Sequence, residues 1–268
     1  MKKFWFMLTA LVATCFLVAC RGSQGVSTKT IKENKKIVVA TESEFAPFEF
    51  KSLVNGKDTL VGADIELAKA IGKKLGVKVE FSVMSFDNVL ASVQSGKADI
   101  AIAGISVTDE RKKVYDFSDS YYTSNQAIIL KKDSKIKKLS QLEGKKVGVQ
   151  EGTTGDIIAS GEKFGEKNKV IVKKATVKRY KKGVDAVMDL KNGAIDAVVI
   201  DEKPAQEFVK NNAKKLKLVV DSAGAEYYCI AITKGNTAYK EEINKQIKAI
   251  KKDGTYDKLK AKYIDSAN

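Results

Sequence analysis

Two charged residues of opposite sign stand just beyond apolar runs in this chain. Asp201 follows the run at residues 197–200 directly, and Arg111 follows the run at 100–105 after the short stretch Ser106-Val107-Thr108-Asp109-Glu110. Thr108 offers an N-cap hydroxyl, and Asp109 and Glu110 place acids where the positive end of a helix dipole favours them. Arg111 breaks that pattern, since a cation in a first helical turn is disfavoured by a few tenths to about 1 kcal/mol. An anion waiting beyond the strand end would account for it; so would a solvated arginine in the basic run DERKK. If both residues face one cleft, with Ser106 adding a hydroxyl, a cation and an anion can hold the two charges of a zwitterion. Each charge-assisted hydrogen bond is worth roughly 1.5 to 3 kcal/mol.

The elements that must present these residues alternate between strand and helix. Residues 37–41 read as a strand and 48–60 as a hairpin turning at Asn55-Gly56. Asp64 is expected to cap a helix with apolar positions Ile65, Ala68, Ile71 and Leu75, followed by a strand at 77–83, a helix at 87–94 and a strand at 98–105. The grammar then restarts: strand 147–150, a Gly/Thr loop at 152–155, helix 156–164, strand 170–172, helix from about 180 to 190, strand 197–200. Gln94-Ser95-Gly96-Lys97-Ala98-Asp99 and Lys191-Asn192-Gly193-Ala194-Ile195-Asp196 both read as helix end, glycine C-cap, aspartate, then apolar strand. The pattern predicts an α/β protein of two similar lobes, joined by apolar strands at 127–130 and 227–233. Two helices at 237–251 and 256–264 would cover the first lobe, with lobe one spanning 37–125 plus 226–268 and lobe two 126–225. Ligands of open α/β sheets sit beyond the carboxyl ends of strands, so two facing lobes make a cleft that a ligand pulls closed.

Composition narrows the classes. The chain has 268 residues, 48 Lys plus Arg against 33 Asp plus Glu, a formal charge of +15 and no histidine. The lysines are scattered, in pairs such as Lys145-Lys146 and Lys181-Lys182, with neither basic-aromatic clusters nor a nucleic-acid-binding module, so no nucleic-acid partner is expected. The lack of histidine removes the commonest general base and any Ser-His or Cys-His nucleophile. Glu42 and Asp201 remain the only carboxylate pair offered for catalysis, and no catalytic residue is assigned. No Cys or His cluster has metal-ligand spacing, and neither a metal nor a cofactor is expected.

The first nineteen residues read as an export signal: Lys2 and Lys3, then an apolar run at 4–19 too short to span a bilayer comfortably. The run ends Leu17-Val18-Ala19-Cys20, which resembles the lipobox of bacterial lipoproteins. That resemblance implies cleavage before Cys20 and diacylation of its thiol, with an uncleaved membrane anchor as the alternative. Two acyl chains would anchor the mature chain to the membrane, and residues 20–36, rich in Ser, Thr, Gly and Lys, read as a flexible tether. Cys229 lies in an apolar run and is expected to be a small hydrophobe, with no disulfide framework.

The segments ATESEFAPFEF, LVGADIELAKAIGKKLG, AGISVTDERKKVYDFSDSYY, VGVQEGTTGD and DAVVIDEKP resemble, in order and spacing, the polar amino-acid-binding proteins of ABC importers, family 3 of the bacterial extracellular solute-binding proteins. The resemblance covers about residues 37–263, and with the lipobox it fits the membrane-tethered form of Gram-positive bacteria, on the extracytoplasmic face. It implies a periplasmic-binding-protein fold of type II, with a two-strand hinge, a monomer that closes on one amino acid. Permease and ATPase subunits are the implied partners; Gly152-Thr153-Thr154-Gly155 lacks the Gly-Lys-Ser/Thr of a nucleotide-binding loop. Position by position, the resemblance makes Arg111 the partner of the ligand α-carboxylate, helped by backbone groups near Gly104, the Ser106 hydroxyl, and Thr153 with Thr154 at a helix N-terminus. Asp201 matches the acid that takes the α-ammonium, and Phe45 and Phe86 match aromatics that sandwich the ligand, although Phe86 also suits an ordinary core. Glu42 matches a position, commonly Asp, at the side-chain end of the pocket, and Gln150 stands where glutamine binders carry Lys. Lysine and arginine binders usually have Tyr at the Phe45 position. The balance leans to a basic amino acid, with glutamine or cystine as alternatives. A few relatives of this fold catalyse eliminations such as cyclohexadienyl dehydration, and amino-acid sensors share its binding physics.

Overall fold

The structure is a computed structural model that describes residues 28–165, 169–221 and 223–267. The expected export signal and Cys20 lie outside the described residues. The first lobe opens with α1 (Thr28–Asn34), β1 (Lys36–Thr41), β2 (Glu44–Phe45), the hairpin β3 (Glu49–Val54) and β4 (Lys57–Val61), and α2 (Ala63–Leu75). It continues through β5 (Lys78–Val83), α3 (Phe86–Gln94), β6 (Ile100–Ala101), α4 (Asp109–Val114) and β7 (Tyr115–Phe117). The chain crosses on β8 (Tyr122–Ser124) into β9 (Gln126–Lys131), β10 (Lys146–Gln150), α5 (Thr154–Ala159), the small hairpin β11 (Lys163–Phe164) and β12 (Lys169–Val170), and β13 (Thr176–Tyr180). The second lobe ends with α6 (Gly183–Asn192), β14 (Ala197–Asp201), α7 (Glu202–Lys210) and β15 (Leu216–Val220). A return on β16 (Glu226–Tyr228) leads to β17 (Ala231–Thr233), α8 (Thr237–Lys252) and α9 (Thr255–Leu259).

Each lobe is built on a five-stranded sheet, ordered β5-β1-β6-β17-β7 in the first and β13-β10-β14-β9-β15 in the second. In each sheet four strands run one way and one runs against them, β17 in the first and β9 in the second, and β8 pairs with β16 antiparallel where the chain crosses. The central strands are apolar on both faces, as strands covered by helices on both sides must be, with Val39, Ala40, Ile128, Ile129, Val147, Val149, Ala197 and Val199 fully buried. The apolar stripe of α2, Ile65, Ala68, Ile71 and Leu75, is buried as its spacing requires, and α8 packs on the same helix. Asn55 and Gly56 both adopt positive φ, which the two-residue hairpin turn demands.

The repeated aspartates have one job in both lobes. Asp99 N–H donates to Val38 O at 2.9 Å while its carboxylate accepts from Val38 N–H at 2.6 Å. Asp196 makes the same reciprocal pair with Lys146, at 2.8 Å in each direction. Each therefore satisfies backbone groups at the start of a neighbouring buried strand and fixes its register.

Several elements differ from the sequence expectation. Residues 28–34 of the expected tether form α1, because Ile31 is 1% exposed in the first-lobe core, a single apolar anchor that overrides a polar composition. Asp64 does not cap α2; Gly62 holds the N-cap position, at φ 130° and with no room for a Cβ beside Phe48 O, and Asp64 turns into the interior. The helix expected at 156–164 stops at Ala159, where Gly161 takes φ 77°. The strand expected at 98–105 contributes only β6 to the sheet, and β13, α7 and β15 were not anticipated. Cys229 is buried, and burial pushes its thiol up to about 12, consistent with a packing role.

Candidate functional site

Arg111 reaches the cleft because Thr108 caps α4, its hydroxyl accepting from Arg111 N–H at 3.1 Å. The side chain then turns inward, leaving the residue 9% exposed. Its guanidinium donates to Ser106 O at 2.6 Å in its own lobe and to Gly152 O at 2.9 Å in the other, and lies 5.7 Å from the Phe86 ring centroid. Among the described residues no carboxylate pairs with it directly. Burial lowers its pKa, and the charges of Glu226 and Asp201 act against that loss.

Asp201 ends β14 and is 4% exposed, and Tyr228 OH donates to its carboxylate at 2.8 Å. Burial, then the charge of Glu226, pushes its pKa up to about 8. Phe45, Phe86, Gly104, Ser106, Arg111, Thr153, Thr154 and Asp201 together line a narrow cavity of about 10 Å³ between the lobes. That is room for one water at most, so the lobes are closed and an amino acid enters only when they part.

Glu42 and Gln150 do not line this cavity; they bond each other across the lobes, Gln150 Nε2 donating to Glu42 Oε2 at 2.8 Å. Glu42 is 4% exposed, its second oxygen has no partner among the described residues, and burial pushes its pKa up to about 7. At the outer edge, Lys181 reaches Asp87 at 2.7 Å and Lys182 reaches Glu44. With those of Arg111 and Gln150, these contacts bridge the cleft.

Gly104 sits at φ 54°, and a Cβ there would lie 2.8 Å from the Phe45 ring, so only glycine lets the two approach. Its own N–H donates to Asp64 at 2.9 Å and is not free for a ligand carboxylate. Thr153 caps α5, accepting from Asp156 N–H at 3.3 Å and donating to Gln150 O at 2.8 Å, while the Thr154 hydroxyl accepts from Gln126 at 3.2 Å. With α5 only six residues long, the helix dipole expected behind these threonines is correspondingly short.

Sequence reasoning missed the buried polar groups behind the cavity. Asp64 also accepts from Tyr121 OH at 2.7 Å, and burial raises it to about 6. Glu49 is fully buried beside it and is held well above the carboxylate range by burial and by the Asp64 charge. Gln126, Glu226 and Tyr228 stand where the chain crosses between lobes. Glu226 had one available signal: like Asp201, it is an acid directly adjoining an apolar run.

A family model described as bacterial extracellular solute-binding proteins, family 3, matches residues 37–266. This chain belongs to that family. The arginine-binding extracellular protein ArtP of Bacillus subtilis is 35% identical over 267 residues, covering 98% of both chains. A family member of solved structure, the amino-acid ABC transporter substrate-binding protein AbpA of Streptococcus pneumoniae bound to L-arginine, is 42% identical, with TM-score 0.79 over 89% of this chain and 97% of the other. An ancestral arginine-binding protein bound to glutamine is 45% identical, with TM-score 0.75 over 86% of this chain and 98% of the other. The match establishes the two-lobed type II binding-protein fold.

Proposed function

We propose that this chain is the substrate-binding component of an amino-acid ABC importer and that it captures a cationic L-amino acid, arginine first among them. Arg111 and the Ser106 hydroxyl take the α-carboxylate, Asp201 takes the α-ammonium, and Phe45 and Phe86 flank the side chain. The single observation that carries the cationic assignment is Glu42: a carboxylate 4% exposed, with one oxygen unpartnered among the described residues, held against Gln150 of the opposite lobe. A buried carboxylate of this kind is costly until a cation joins it. The lobes part around β8 and β16, admit the ligand and close on it, and only the closed cleft brings Arg111, Asp201 and Glu42 to bear together. Export, lipid attachment through Cys20, a monomeric state and delivery to permease and ATPase subunits at the cell membrane complete the reading, with binding rather than turnover as the activity.

The test is calorimetric titration of the chain from Arg21 onward, unfolded and refolded to strip carried-over ligand, against arginine, lysine, histidine, ornithine, glutamine and cystine. Tight binding of the cationic group is expected, and Glu42→Gln should weaken it selectively by roughly 1 to 3 kcal/mol. A preference for glutamine or cystine, or equal losses for neutral and cationic ligands, overturns the assignment to Glu42.

A further inference from the structure

Glu226 approaches the cleft from the return strand β16 without lining the cavity. It pairs with Ser124 in the β8–β16 ladder, while Gln126, two residues beyond Ser124, pairs with Asp201 in the second-lobe sheet. This register puts Gln126 between two buried carboxylates. Its Nε2 donates to Glu226 Oε1 at 2.7 Å, and Tyr228, two residues beyond Glu226 on the same strand, donates to Asp201 at 2.8 Å. Glu226 is 3% exposed, and its Oε2 makes no hydrogen bond within normal distance among the described residues, although the Ser106 and Thr154 hydroxyls lie near enough to temper the effect of its burial. The guanidinium of Arg111 spends its hydrogen bonds on backbone carbonyls, so the charge that balances this buried cation comes from Glu226 and Asp201 at longer range.

We propose that Glu226 and Asp201 form a two-carboxylate seat for the ligand ammonium, in which Glu226 is a positioning residue that sets the charge on Asp201, and that the seat gives up a shared proton when the ammonium arrives. The inference rests on the assignment of the ammonium to Asp201. Two neighbouring buried carboxylates repel when both are ionised, so the empty seat keeps one proton between them. An ammonium in contact with the seat supplies the missing positive charge and displaces that proton to solvent, while the ligand carboxylate meets Arg111 farther off. Burial raises the pKa of both acids, and the neighbouring charge of Glu226 adds to the rise at Asp201. The other titratable groups facing the seat are Arg111 from α4, Tyr228 from β16, Tyr122 from β8 and Glu49 from β3; Glu202 on α7 faces Tyr122. Burial raises the tyrosines and Glu49 above their ordinary values and lowers Arg111, whereas Asp201 is carried to about 8, inside the window the experiment reads.

The experiment is arginine titration by calorimetry at pH 6 to 8 in buffers of different ionisation enthalpy, which counts protons released per ligand bound. Glu226→Gln keeps an acceptor for Gln126 and removes the charge. The unsubstituted chain should release more protons near pH 7 than Glu226→Gln, and its affinity should rise by up to tenfold per pH unit below pH 8 where that of Glu226→Gln stays flatter. Both chains retain Glu42, which titrates in the same window, so their difference isolates the seat. Equal proton counts and parallel pH profiles overturn the proposal. So does loss of all proton release in Glu42→Gln, a measurement that does not depend on Glu226→Gln folding. Asp201→Asn separates the two claims: if it binds arginine as the unsubstituted chain does, the ammonium assignment itself fails, whereas lost binding with unchanged behaviour of Glu226→Gln defeats only the paired seat.

Discussion

Replacing Glu42 by Gln should stabilise the ligand-free protein, and by an amount that depends on pH. The carboxyl is buried, holds one hydrogen bond from Gln150, and is carried from its ordinary 4.5 to about 7 by loss of solvent. A folded-state pKa above the unfolded value means that folding favours the protonated acid. The associated stability is fully present below pH 4.5 and is lost as pH rises through 7. Above pH 7 the ionised side chain therefore costs about 3 kcal/mol, at 1.36 kcal/mol for each unit between the two values. The substituted amide would keep an acceptor for Gln150 and carry no charge, so Glu42→Gln should match the unsubstituted chain at pH 4.5 and exceed it by about that amount at pH 8. For a chain of this size the difference corresponds to a rise in Tm of roughly 6 to 12 °C. Thermal unfolding of the stripped protein from pH 4.5 to 8.5, followed by circular dichroism, reads it directly. A difference independent of pH, or none at pH 8, would refute the reasoning by showing that the Glu42 charge is solvated in the ligand-free chain.

Other substitutions test the anion end of the site and its packing. Arg111→Ala should lower affinity for every bound amino acid by roughly 2 to 5 kcal/mol, because a buried carboxylate loses its partner and a bridge to Gly152 O disappears; titration with unchanged affinity would place the carboxylate elsewhere. Gly104→Ala should destabilise the fold by more than about 1 kcal/mol, since φ 54° is unfavourable for alanine and its Cβ would meet Phe45 at 2.8 Å; denaturant unfolding with an unchanged midpoint would contradict it.

The fold was legible where local chemistry decides it. The helix-ending glycines, Gly193 at the C-cap of α6 and Gly96 one residue past the Ser95 cap of α3, the Asn55-Gly56 turn and fully apolar runs such as that of β14 each announce themselves within a few residues. Arg111 and Asp201 were legible for the same reason, as charges set against apolar runs. What stayed hidden depends on neighbours distant in sequence. The Gln126–Glu226 bond joins residues 100 apart, and the Glu42–Gln150 bond joins residues 108 apart across two lobes. Asp64 misled because an acid at a helix start ordinarily serves that helix, whereas here Gly104 and Tyr121 claim it. Ile31 misled in the opposite sense, one apolar residue in a polar stretch being enough to dock α1 once the core is there to receive it.

The adjacent lysines at the rim carry a consequence for how firmly the molecule shuts. Lys181 and Lys182 diverge to Asp87 and Glu44, two different elements of the opposite lobe, and both lysine side chains are more than half exposed. Exposed ion pairs are weak and are screened further by salt. The rim therefore aligns the lobes as they meet but does not lock them, leaving occupancy of the interior to decide how long they stay together. A clasp of this strength lets the protein reopen once its cargo is drawn out, and it ties the resting balance between open and shut to the ionic strength outside the cell.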